Sequence, residues 1–222
     1  MESDLIYDVG IHQGYDAAHY LERGYRVVGI DADPRMISHC TERFAKEVAS
    51  GKLKLLPVGI ADRAGVLPFY CSEHDDWNSL DPSLATRNGT PAKVIEVECV
   101  SFRQILEAHG VPYYLKVDIE GSDIYCIQAL SRSDLPKYVS CEMSTTDCLC
   151  HLRALGYSRF KLVNQRTHFM LSSGPFGEET LGPWRTIDDV YYEWLHPRRG
   201  YKERCEFTDP DKEAWYDVHA SL

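Results

Sequence analysis

Residues 4–14 read DLIYDVGIHQG, a short apolar run that turns through two glycines before a helical pattern begins. Leu5, Ile6 and Tyr7 form the unbroken apolar segment expected of a strand buried on both faces. Gly10 and Gly14 allow backbone conformations that other residues avoid, and their missing Cβ lets a ligand approach the chain closely. A glycine turn between the first strand and the first helix is where nucleotides sit in doubly wound sheets. The spacing is D-x-G-x-x-x-G, not the G-x-G-x-x-G that seats a pyrophosphate on a helix N-terminus. A carboxylate at Asp8 suits a ligand carrying an ammonium group and repels a diphosphate. His12 and Gln13 complete the loop as further candidate contacts.

Outward from this loop, RVVGID (26–31) reads as a second buried strand, and Asp31 at its end can accept both hydroxyl protons of a ribose. Ala32 lies beside it, and Asp33 before Pro34 is an N-cap followed by a first-turn proline. LKLLPVGIA (53–61) reads as a third strand, with Ile60 and Ala61 placed against an adenine and Asp62 available to its amino group. Further strands are expected at 66–70, 94–100, 113–118 and 138–143, with a closing hairpin from 160–164 and 168–172. Ser101 with Gln104 is a capping-box pair. Apolar strands alternating with helical stretches predict an α/β, doubly wound, mostly parallel sheet. Residues 71–92 form a long polar loop within an inserted β-hairpin, a type of loop that is more often functional than idle.

Lys116, Asp118 and Glu120 crowd the end of the strand at 113–118. Charges there are costly unless paired or used, so all three are candidate catalytic residues; a structural ion pair at Lys116 is the alternative.

DVGIHQG, VVGIDADP, HDDWNSL (74–80) and above all LKVDIEGSD (115–123) resemble the FkbM family of S-adenosylmethionine-dependent methyltransferases. The resemblance covers about residues 4 to 172. It implies a class I methyltransferase fold with a seven-stranded, Rossmann-like sheet, S-adenosylmethionine as cofactor, and O-methylation of a sugar or other small metabolite. It also implies that Asp8, Gly10, Gly14 and Asp31 hold the cofactor, that Asn78 and Ser79 lie in a loop near the active site, and that Asp118 and Glu120 flank the transferred methyl. Asn78, Ser79 and Glu142 are the candidate acceptor contacts. Glu120 or Asp118 is the expected base, with His74, in its run with Asp75 and Asp76, as the alternative. Ile11 and His12 depart from the family loop, where a small residue and asparagine are frequent. N-methylation, or cyclisation or cleavage of the cofactor, remains open on the same fold. A nicotinamide oxidoreductase is disfavoured by the glycine spacing, and a non-catalytic binding module by the carboxylates.

The 222 residues suffice for one such domain. Residues 1–173 are expected to form it, with 174–222 as an irregular extension packed on it, serving as lid, acceptor contact or dimer contact. Three of the four tryptophans fall in that extension. The chain opens almost at its first strand, so this extension is the candidate to close the site. With 24 Lys and Arg against 34 Asp and Glu, the net charge of -10 disfavours nucleic acid and anionic membranes as partners; Arg198, Arg199, Lys202 and Arg204 read as a solvated face. No apolar run approaches the ~20 residues of a membrane span, and no signal peptide is recognisable. The eight cysteines read as buried hydrophobes in a reducing compartment, so a cytoplasmic location is expected. Cys148, Cys150 and His151 are half a metal site without a second half. No metal is assigned, although Asp118, Glu120 and Glu142 could gather round a divalent ion.

Overall fold

The structure, a computed structural model, describes residues 3–165, 183–195 and 215–222. The chain runs β1 (Leu5–Val9), α1 (Tyr15–Glu22), β2 (Arg26–Ile30), α2 (Pro34–Arg43), α3 (Ala45–Ala49), β3 (Leu53–Leu56), β4 (Gly59–Ile60), β5 (Gly65–Ser72), α4 (Pro82–Ala85) and β6 (Ala92–Val100). It continues through α5 (Phe102–His109), β7 (Tyr114–Val117), α6 (Asp123–Gln128), β8 (Tyr138–Glu142), α7 (Asp147–Leu155), β9 (Arg159–Asn164), α8 (Ile187–Leu195) and β10 (Tyr216–Ser221).

Seven strands form one sheet in the order β3-β2-β1-β7-β8-β10-β9, and β10 alone runs antiparallel to its neighbours. The expected mostly parallel, doubly wound α/β sheet is therefore present. β1 is buried along its whole length because β2 and β7 flank it. Its side chains alternate between two apolar layers. Leu5, Tyr7 and Val9 join Phe102, Ile105, Cys126, Ile127, Leu149 and Leu152 from α5, α6 and α7. Ile6 joins Ala17 and Tyr20 of α1 and Cys40 of α2 on the other face. Strand order reverses between β1 and β7, and the crevice beyond their carboxyl ends is where open sheets of this type take ligands.

Three expectations change. The stretch 53–61 is two strands, because Pro57 has no N–H to extend a ladder. β3 lies in the main sheet, whereas β4 pairs with β6 in a separate three-stranded sheet, order β4-β6-β5. Second, the partner of β9 is β10 from the far end of the chain; the strand expected at 168–172 lies outside the described residues. Third, 174–222 is not simply an irregular extension. β10 is an interior strand, with Val218 and Ala220 fully buried in the main core beside Val190 of α8. Trp194 Nε1 donates to the Met143 carbonyl at 3.2 Å, and Lys161 sits 4.8 Å from the Trp184 ring centre. A boundary at 173 thus cuts through the sheet. The basic cluster at 198–204 falls outside the described residues.

All seven described cysteines are free, and only Cys150 is exposed. Among the described residues no helix is long and apolar enough to cross a membrane.

Candidate active site

The β1 loop is held by its own backbone. Gly10 N and Ile11 N both donate to the Ile30 carbonyl of β2, at 2.8 and 3.1 Å. Gly10 has φ 85°, and a Cβ there would lie 1.8 Å from the Asp118 carbonyl oxygen. Only glycine permits this contact between the ends of β1 and β7. Gly14 has φ 76° at the start of α1, and a Cβ there would meet the Phe44 ring at 2.5 Å. Ile11, the first departure from the family loop, fills the space that Gly29 leaves in β2, since a Cβ on Gly29 would be 2.3 Å from Ile11 Cδ1. The second, His12, adopts φ 47° and places Nε2 3.4 Å from Asp75 and 3.7 Å from Asp76. It ties the loop to the insertion after β5. Asp75 and Asp76 therefore pair with His12 and not with their neighbour His74, whose exposed ring lies 4.6 Å from that of Trp77. Gln13 Oε1 accepts from the Tyr15 hydroxyl at 3.1 Å.

Asp31 closes β2 and accepts two backbone donors, His12 N at 2.9 Å and Asp33 N at 2.8 Å, one on each oxygen. Each oxygen keeps a lone pair for a further donor. Burial pushes its carboxyl up to about 6, against the two backbone donors that lower it. Ala32 is half-buried beside it. Ile60 and Ala61 are buried and Asp62 exposed, but all three follow from the small sheet, not from the end of the third main strand.

Asp8 is enclosed beneath the loop. It is 0% exposed, neither carboxylate oxygen has a hydrogen-bond partner, and Lys116 Nζ is 3.7 Å away. The two residues are direct neighbours across β1 and β7. Lys116 also lies 3.4 Å from Asp16 of α1 and 3.3 Å from Asp118. Burial alone would favour a neutral lysine, but Asp118, Asp8 and Asp16 outweigh it and hold the ammonium well above its usual range. Burial in turn pushes Asp8 up to about 7. At 8% exposure Lys116 lies beneath the loop among these three carboxylates. Asp118 faces outward, its side chain 52% exposed.

Glu120 is committed elsewhere. It sits at φ 45° and receives Arg87 in a bidentate pair, Nη1 to Oε2 at 2.7 Å and Nη2 to Oε1 at 3.1 Å. Arg87 also lies 4.3 Å over the Trp77 ring. Ser79 Oγ donates to the Glu120 carbonyl at 2.7 Å and accepts from Asp81 N at 2.9 Å. Asn78 accepts from Ser72 N at 2.9 Å and donates to Asp33 Oδ2 at 3.0 Å. These bonds tie Asn78 to Asp33 and Ser79 to the Glu120 backbone, and the Asn78 amide keeps one donor and one lone pair. Glu142, at the end of β8, is half-buried; burial, then Glu120, Asp123 and Asp118, push it up to about 8.

Sequence reading missed Arg87, Asp16 and Asp123. Arg87 is an isolated arginine in a polar stretch, with no local signal. Asp16 and Asp123 sit at the edges of the two motifs that were read. Asp118, Glu120 and Glu142 do not close round a metal; among the described residues the one trio of metal-type ligands converging within 4.8 Å is His12, Asp75 and Asp76.

A model of the methyltransferase FkbM domain matches residues 8–158, more than half of the chain. The chain belongs to the FkbM methyltransferase family. Over 65 residues, 29% of the chain, this FkbM-family protein is 35% identical to a protein named probable ribosomal RNA small subunit methyltransferase A from Methanospirillum hungatei JF-1. The match spans 25% of that relative's length. Among solved structures it is similar to precorrin-6y C5,15-methyltransferase from Geobacter metallireducens GS-15, with TM-score 0.44 and 12% identity over 99% of this chain and 80% of that one. It is also similar to precorrin 8w decarboxylase of Methanobacterium thermoautotrophicum, with TM-score 0.45 and 13% identity over 100% and 83%. Both likenesses are distant, and the fold assignment rests on the strand order itself.

Proposed function

We propose that this FkbM-family protein transfers a methyl group from S-adenosylmethionine to a hydroxyl of a sugar or other small polar metabolite. The observation that carries the reading is the contact at the switch point, where the Cβ-free Gly10 abuts the Asp118 carbonyl beside the doubly anchored Asp31. Gly10 and Gly14, whose Cβ positions are taken by Asp118 and Phe44, set the shape of the turn that would meet the cofactor; Asp31 offers lone pairs to its ribose, and Ala32 with the buried Ile60 and Ala61 offers apolar atoms to its base. The cofactor supplies a sulfonium-bound methyl group as electrophile.

The chain's own residues then align and deprotonate the acceptor. Alignment provides much of the acceleration in an in-line displacement. Of the three candidate bases, Glu120 is held by Arg87 and His74 lies out against Trp77. Asp118 keeps an exposed carboxylate fixed by Lys116, so it is the group that takes the acceptor's proton. Incubating the protein with S-adenosylmethionine and a set of sugars, then measuring S-adenosylhomocysteine by mass spectrometry, tests this. Acceptor-dependent product that disappears in Asp118→Asn supports the reading; cofactor left intact with every acceptor overturns it.

A further inference from the structure

Beyond the loop, the same end of the sheet holds an open cavity of ≈ 180 Å³ between α6 and α7, lined by Asp123, Ile124, Glu142, Ser144, Thr145 and Asp147 among others. Gly121 of the turn after β7 and Glu142 at the end of β8 both line it. Asp123 is 5% exposed; one carboxylate oxygen accepts from Glu142 N at 3.4 Å and the other has no partner. Among the described residues, no ion pair reaches Asp123, Glu142 or Asp147. A buried carboxylate without a counter-charge is costly, and the buried Asp123 stands in one wall with the half-buried Glu142 and the exposed Asp147, an acidic lining that favours a cation.

Two kinds of cation could answer it. A bare divalent ion needs ligand oxygens drawn tightly round it, and these carboxylates do not form such a group. A protonated amine needs only carboxylates distributed around its N–H bonds, and hydroxyls such as those of Ser144 and Thr145 can serve the rest of a polyol.

We propose that this cavity is the acceptor subsite and that it recognises the acceptor by a protonated amine, so that the acceptor is an amino-bearing polyol or amino sugar. The inference rests on the methyltransferase reading and narrows its substrate class. Burial, with Asp118 next, pushes Asp123 up to about 7, and Glu142 is pushed up to about 8. Near neutrality Asp123 is thus about half protonated and Glu142 mostly protonated in the empty cavity, and an arriving ammonium ion favours their charged forms.

The test uses an isosteric pair, 2-amino-1,3-propanediol and glycerol, titrated into the full-length protein saturated with S-adenosylhomocysteine. Binding is followed by nuclear magnetic resonance near neutral pH. The amine is expected to bind at least tenfold more tightly than glycerol. Asp123→Asn and Glu142→Gln should each remove that preference while leaving S-adenosylhomocysteine affinity within about twofold. Asparagine keeps the oxygen that accepts from Glu142 N, and thermal melts of both variants report that they fold. Equal binding of amine and glycerol, or a preference that survives both substitutions, overturns the proposal. So does loss of S-adenosylhomocysteine affinity in Asp123→Asn, which would assign the cavity to the cofactor. Magnesium ion alone, titrated in the same way, overturns it if it binds with the same sensitivity to Asp123→Asn. Failure of S-adenosylhomocysteine to bind the wild type is a separate result that removes the methyltransferase reading instead.

Discussion

Two groups of carboxylates meet at the carboxyl end of this sheet, and they are organised in opposite ways. Under the β1 loop, Asp8, Asp16 and Asp118 share one buried cation, Lys116, at 3.7, 3.4 and 3.3 Å. Beside α6 and α7, the buried Asp123 and half-buried Glu142 line a cavity without an ion pair among the described residues. The first group shares that one cation beneath the loop, although neither oxygen of Asp8 has a hydrogen-bond donor. The second is left for something that arrives. Glu120 lies between the two, already neutralised by Arg87. The two groups differ in the location of the counter-charge, not in acidity.

Removing Lys116 should break the contrast most severely. Lys116→Met leaves Asp8 enclosed with no cation, and breaking a buried pair from one side costs about 3–5 kcal/mol. Urea denaturation should register a loss of that size; an unchanged midpoint would show that the lysine does not hold the cluster. Gly10→Ala comes next. Its Cβ would fall 1.8 Å from the Asp118 carbonyl in a backbone at φ 85°, so strand ends must separate, and S-adenosylmethionine affinity should fall at least about 100-fold by the differential-binding logic of a misplaced site. A calorimetric titration measures it, and retained affinity would mean the ligand does not use this turn.

Asp31→Ala should have a smaller effect on the same titration. It removes a charged acceptor for a ribose, and hydrogen bonds to charged groups contribute about 1.5–3 kcal/mol, or roughly 10- to 100-fold in affinity. A pH-dependent change in stability is expected from Asp123→Asn without ligand. A carboxyl whose folded value is raised contributes stability that is complete below its ordinary value and lost as pH climbs through the raised one. For Asp123 that window runs from 3.8 to about 7, and for Glu142 from 4.5 to about 8. The wild-type melting temperature should therefore decline across these windows, and the Asp123→Asn variant should decline less. Identical slopes would show that Asp123 is not held protonated.

The fold was legible where local chemistry was consistent. The apolar run of β1, the Asp33–Pro34 start of α2 and the Ser101–Gln104 box all formed as read. Pro57 was the overlooked signal that splits the third strand. The pairing of β9 with β10 joins residues more than fifty positions apart, and no periodicity in either segment encodes that partner. The loop glycines and Asp31 were readable because each needs a particular backbone or charge at a fixed strand end. The division of labour among the carboxylates was not, because Arg87 reaches Glu120 from 33 residues away and Asn78 reaches Asp33 from 45. Nothing in the run HDDWNSL tells that Asn78 reaches Asp33 and Ser79 the Glu120 backbone; only their hydrogen bonds show it.

The loop with which the sequence began carries the central claim, and calorimetry of S-adenosylmethionine with the wild-type protein and Gly10→Ala tests it most directly. The account predicts saturable one-to-one binding to the wild type and at least about a 100-fold weaker interaction with the variant. No binding to a folded wild-type protein, or equal binding to both, would contradict it.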